Sequence, residues 1–131
     1  MKRRELRERI FSMLFRVEFH EEEELDAQLK AFIDENEPME EKDEQYIMKK
    51  YQAVKEKLPE IDERINSHTK GWKTDRMGKV ELAIIRLAVY EMLYDEEVPT
   101  SVAINEAVEL AKKFGTDEAP SFVNGVLAKL Q

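Results

Sequence analysis

Between Val98 and Gly115 the chain spells out one helix together with both of its ends, and no other segment constrains the fold as tightly. Pro99 disfavours helical geometry at Val98, which predicts a start at Thr100 or Ser101, whose hydroxyls suit the unpaired N–H groups of a first turn. Ile104, Ala107, Val108, Ala111 and Phe114 then recur at helical spacing on one expected core face. Lys112 and Lys113 fall in the last turn, where the helix dipole favours cations, and Gly115 stands where a left-handed residue commonly ends a helix. A second apolar set, Phe122, Val123, Val126, Leu127 and Leu130, follows a few residues later, so the C-terminal part reads as a packed helix pair.

The same spacing organises the rest of the chain. Leu6, Ile10, Met13, Leu14 and Val17 predict a first helix from about Arg3 to Phe19, and Leu25, Leu29, Phe32 and Ile33 a second that ends before Pro38. The acidic run Glu21 to Glu24 sits at the helix end that the dipole favours and reads as a solvated start. Ile47, Tyr51, Val54 and Leu58 mark a third helix closed by Pro59, and Ile61 with Ile65 a shorter fourth element. From Val80 to Leu93 the chain is apolar nearly all round, broken chiefly by Glu81, Arg86 and Glu91, as expected of a helix central to a bundle. Neither strand alternation nor a hairpin signal competes. With 131 residues, 38% charged residues and only four Gly and four Pro, the expectation is all-α. It is a single domain over residues 1–131, with about seven helices in two packed bundles, three helices N-terminal and the rest C-terminal.

Composition removes most chemistry. There is no Cys, and His20 and His68 form no ligand cluster and read as surface or boundary residues, so no metal and no cofactor are expected. Gly71, Gly78, Gly115 and Gly125 are scattered and build no phosphate loop, and neither a nucleophile elbow nor an HExxH pair is present. An enzyme is not expected. A charged N-terminus without a signal-peptide core, and the lack of a spanning apolar run, predict a cytoplasmic protein without a membrane partner. The net charge is −8, but it is unevenly placed. Lys2, Arg3, Arg4, Arg7, Arg9 and Arg16 against Glu5 and Glu8 give the first sixteen residues +4, so the remainder holds −12. Such asymmetry allows a local polyanion site on an otherwise acidic body.

On a helical projection Arg4, Arg7, Phe11 and Phe15 fall in one stripe beside the core face, with Arg9 and Arg16 across the helix. Guanidinium groups pair with phosphates and aromatic rings stack on unpaired bases, so the stripe suits single-stranded RNA. The plainer alternative puts both rings in the core and the arginines in solvent. Glu81 and Glu91, outward exceptions on an apolar helix, are candidate contacts for a protein partner, with simple solvation as the alternative. Asn124-Gly125 inside a helical pattern suggests close helix packing, and Asn105 a structural hydrogen bond at a helix junction.

The wording "VAINEAVELAKKFG" followed by "FVNGVLAKL" resembles the NusB family of bacterial transcription antitermination factors. Trp72 with "KVELAIIRLAVYEM" resembles that family's central helix, and "RRELRERIFSMLF" its basic opening helix; residues 20 to 70 agree mainly in helical pattern. The resemblance implies binding of single-stranded boxA RNA through Lys2, Arg3, Arg4 and Arg7, with Phe11 and Phe15 beside them. The start of the last helix lies next to the RNA in such proteins, which brings in Glu118, Ser121 and Phe122. Where the family often carries an amide and a hydroxyl this chain has Ser12 and Phe15, which leaves stacking and phosphate contacts as the expected mode.

The resemblance further implies partnership with the ribosomal protein NusE and, with other Nus factors, entry into the elongating RNA polymerase complex to suppress termination. An acidic body complements a basic ribosomal protein. The same resemblance is compatible with a homodimer. Similar domains also serve as RNA-binding appendages of ribosomal RNA methyltransferases, but 131 residues leave no room for a methyl-donor domain, so only a detached module would fit. A helical protein-interaction adaptor is the rival from another class.

Overall fold

The computed structural model describes residues 1–35 and 38–131, and these form seven α-helices and one 3-10 turn, with no strand among the described residues. They divide into two compact units, Met1–Lys55 and Glu56–Gln131. The helix grouping, three and then four, is the one expected from the spacing.

The first unit holds α1 (Arg3–Val17), α2 (Glu22–Glu35) and all but the last residue of α3 (Glu41–Glu56). α1 buries Leu6, Ile10, Met13 and Leu14, as their spacing predicts, and also Phe11. Each such side chain contributes roughly 1.5–3 kcal/mol when fully removed from water. Arg16 pins α1 to α2: its Nη2 lies 2.7 Å from Glu35 Oε2, its Nη1 3.4 Å from the Gln28 carbonyl, and its guanidinium 5.3 Å from the centre of the Phe32 ring. The Met1 amine lies 3.0 Å from Asp43 Oδ2 on α3, a pair shielded enough from water to hold the start of α1 in place.

The second unit is built on α4 (Leu58–His68), a 3-10 turn (Thr74–Arg76), α5 (Lys79–Tyr94), α6 (Thr100–Phe114) and α7 (Ala119–Ala128). Pro59 does not close the third helix as expected. α3 ends at Glu56, and Pro59 sits in the first turn of α4, where its missing N–H leaves no bond unmade. α5 is the central helix: Leu82, Ala83, Ile84, Ile85, Leu87, Ala88 and Val89 are all buried, and α4, α6 and α7 pack on it. Arg86 joins it to α4 through a two-pronged pair with Asp62, at 2.9 and 2.8 Å.

Several expectations for the C-terminal helices need correction. The buried face of α6 is Ala103, Ala107, Leu110 and Ala111; Ile104 and Val108 are only half-buried and Phe114 is exposed. Alanines let α6 approach its two neighbours closely, so the contact centres on small residues and turns the larger ones to its edges. Pro99 itself holds the N-cap position, and no side-chain hydroxyl caps the helix. Gly115 is extended (φ −99°, ψ −176°) and not left-handed. It is required for space: a β-carbon there would stand 2.5 Å from Ala119 Cβ and 2.9 Å from the Ala111 carbonyl oxygen. Gly125, expected to mark close packing, is exposed and faces open space.

Candidate functional site

The N-terminal candidates occupy the first turns of α1. Lys2 is the N-cap residue, Lys2, Arg3 and Arg4 are exposed, and Arg7 is half-buried one turn further on. Helix N-termini carry unpaired N–H groups and a partial positive charge. Here three cationic side chains surround that end, with Glu5 and Glu8 nearby, so the arrangement attracts phosphate. Arg16 is committed to Glu35, and Arg9 is half-buried, its Nε covered and without a hydrogen-bond partner. Both stand apart from the stripe, as the projection predicted.

The aromatic part of the stripe differs from expectation. Phe11 is only 4% exposed, so its ring offers no face for a base and belongs to the core. On the helix Phe11 lies beyond Leu14 at the edge of the core face, and the packing of the first unit covers it. Phe15 is half-buried, its ring centre 6.2 Å from that of Phe11 and 4.9 Å, edge-on, from that of Phe19. The three rings step from core to surface.

The C-terminal candidates lie on the second unit around a cleft of about 270 Å³, lined by Trp72, Arg76, Met77, Gly78, Glu81, Thr116, Glu118, Ala119 and Phe122. Phe122 is half-buried in the first turns of α7 and meets Trp72 edge-to-face, ring centres 4.9 Å apart. Glu118 is the exposed N-cap residue of α7, where a carboxylate is favoured by the dipole, and Ser121 is exposed beside it. Glu81 is half-buried in the first turn of α5, its carboxylate folded over Gly78, which has room for it only because it lacks a β-carbon. Glu81 thus shares a cleft with Glu118 and Phe122. Glu91 is not outward at all: it is 1% exposed and lies on the buried side of α5, which removes it as a surface contact. An apolar helix packed on several sides leaves little outside for a polar exception to face. Among the described residues no group of three or more His, Cys, Asp or Glu is placed to hold a metal ion.

Residues 4–131 match the NusB family along their whole length. The chain belongs to that family. It is 54% identical over 129 residues to the transcription antitermination protein NusB of Agathobacter rectalis, covering 98% of each chain. A solved structure of T. maritima NusB superposes with a TM-score of 0.88 at 34% identity, over 99% of this chain and 90% of that one. A crystal structure of the antitermination factors NusB and NusE in complex with double-stranded RNA superposes with a TM-score of 0.83 at 28% identity, over 98% and 94%.

Two exposed rings of this NusB-family chain were not singled out as contacts by sequence reasoning. Phe19 is 57% exposed, and its signal was the four-residue step from Phe15; Trp72 is 49% exposed, and its signal was its place between Lys70 and Lys73.

Proposed function

We propose that this protein is a transcription antitermination factor that binds boxA RNA of nascent ribosomal RNA together with NusE, and that the pair joins the elongating RNA polymerase complex. The observation that carries the reading is the NusB–NusE–RNA structure, whose NusB fold covers 98% of this chain. Exposed Lys2, Arg3 and Arg4 at the start of α1, with Arg7, would contact phosphates, and Phe15, Glu118, Ser121 and Phe122 would lie along the RNA. Glu81 is assigned to the protein partner. The role is assembly, with no reaction, and its place is the cytoplasm, where a factor acting on transcription works. All 131 residues act as one functional domain.

A small RNA site on a chain of net charge −8 binds weakly alone, so NusE should raise the apparent RNA affinity at least about tenfold, a coupling of about 1.4 kcal/mol. Gel shifts with single-stranded boxA RNA, with and without NusE, test this. Equal affinity in both titrations would remove the cooperative assembly. A duplex of the same sequence competing as well as the single strand would reduce recognition to phosphates alone.

A further inference from the structure

The segment Thr69 to Lys79 is the second place in the chain where cations and an exposed ring come together. Within the segment Lys70, Lys73, Arg76 and Lys79 stand against Asp75, a net of +3 on a chain of −8, while Glu81 and Glu118 are the acids that line the adjoining cleft. All four cationic residues are exposed. Between them stands Trp72, half exposed and the sole tryptophan. The loop that carries it is tied down. Buried Thr69 Oγ1 lies 2.7 Å from both the Ile65 and the Trp72 carbonyl oxygens and donates to one of them at a time. Asn66 Oδ1 accepts from the Thr74 N–H at 2.8 Å, and Gly71 takes the left-handed conformation (φ +80°) that the turn requires. The ring is therefore held in place before anything binds, which lowers the entropy cost of using it.

We propose that this segment is a second RNA-contact element, in which Trp72 stacks one unpaired base at the mouth of the cleft while Lys70, Lys73 and Arg76 meet the adjoining phosphates. The inference rests on the RNA-binding reading above, and adds to it the Trp72 loop and its cations. Charge selects the occupant: a +3 segment on an acidic chain favours a polyanion, and a ring among cations favours a single strand, whose bases have free faces.

Because Trp72 is the sole tryptophan, its emission reports on the cleft directly. Titration of the full chain with single-stranded boxA RNA is expected to quench Trp72 saturably, with the midpoint seen in gel shifts. Trp72→Ala should weaken RNA binding about 5- to 150-fold, the fold-change equivalent of the roughly 1–3 kcal/mol of one stacked base, and Trp72→Phe should restore most of it. Lys73→Ala and Arg76→Ala, both at exposed positions, should each make the log-log salt slope shallower by about 0.7. Circular dichroism melts confirm that the variants are folded.

If wild-type protein binds RNA in a manner that depends on Arg3 and Arg4, while Trp72 emission stays flat and Trp72→Ala binds as well, the second element is overturned and the α1 reading stands. Emission that responds to NusE alone, with RNA affinity untouched by Trp72→Ala, would make the cleft a protein contact and overturn the inference equally. Wild-type protein that binds no RNA, with or without NusE, overturns both.

Discussion

The start of α1 and the loop around Trp72 both bring cationic side chains near aromatic rings, but they are built in opposite ways. On α1 the charges are exposed and the rings sink: Lys2, Arg3 and Arg4 lie at the surface, while Phe11 is buried and Phe15 half-buried. Around Trp72 the ring itself is held out, by the hydrogen bonds that Asn66 accepts and Thr69 donates and by the turn at Gly71. A regular helix sorts residues by the angle at which they leave its axis, and Phe11 leaves at the edge of the core side, close enough for the packing to cover it. A loop has no such rule and can present a large ring only if its backbone is fixed by other means. The first region offers exposed charge at a helix end; the second offers a placed ring.

The sharpest test of that difference compares Phe11 with Trp72. Phe11→Ala should cost about 3–5 kcal/mol, since it empties a core position, and should lower the melting temperature by roughly 10–20 °C. Trp72→Ala removes an exposed ring and its edge-to-face contact with Phe122, and should cost about 1 kcal/mol. Equal shifts in denaturation midpoint would mean that the two rings do the same structural work.

Charge gives the next effect. If Arg3, Arg4 and Arg7 each neutralise a phosphate, replacing all three by Ala should make the salt slope of RNA binding shallower by about 2, since single strands give about 0.7 per contact. Arg16→Ala changes the net charge by one and breaks the pair with Glu35, so it should lower stability while leaving the slope alone. Slopes that fall in proportion to the number of arginines removed, Arg16 included, would turn the start of α1 from a placed site into a diffuse patch.

How far the sequence could be read follows the same division. Helix existence, order and grouping were legible because apolar spacing is a property of each segment by itself. The exposed cations of α1 were legible because a charge with no burial signal stays in solvent. Gly125 was misread for want of a neighbour, since it faces open space where close packing was expected; the other misreadings depended on one. Pro59 fits the end of one helix or the start of the next, and only the link between Glu56 and Leu58 decides. The buried face of α6 follows its alanines because two helices crowd it, which no single-helix projection contains. Glu91 looked like an outward exception, but α5 is packed on several sides and holds it inside. Phe11 sat at the border of two faces, and tertiary packing took it.

Loop fixation should give a smaller but visible effect. Asn66→Ala removes the acceptor for the Thr74 N–H and should cost about 1 kcal/mol. If the loop is what holds the ring out, Trp72 emission should also change in free Asn66→Ala protein, and RNA affinity should fall with no change in salt slope, because no charge is lost. A variant with unchanged emission and affinity would show that the ring stands where it does without the Asn66 bond, and the contrast with α1 would lose its structural cause.

The smallest expected effect belongs to Phe19, the one ring of the α1 series that reaches the surface, 57% exposed and touching Phe15 by its edge at 4.9 Å. Phe19→Ala should cost no more than about 0.5 kcal/mol of stability, since the position is open and the single ring contact is the main loss. Its effect on RNA separates two views of the first unit. If α1 works through exposed charge at its N-terminal end, a ring beyond its C-terminal end contributes nothing, and affinity and slope should match the wild type within about twofold, under half of a kcal/mol. A loss of about fivefold or more with the slope unchanged would be the mark of a stacked base. In that case the first unit also holds out a ring, and the contrast between charge at the start of α1 and a placed ring in the Trp72 loop would give way to a single mode of contact used twice.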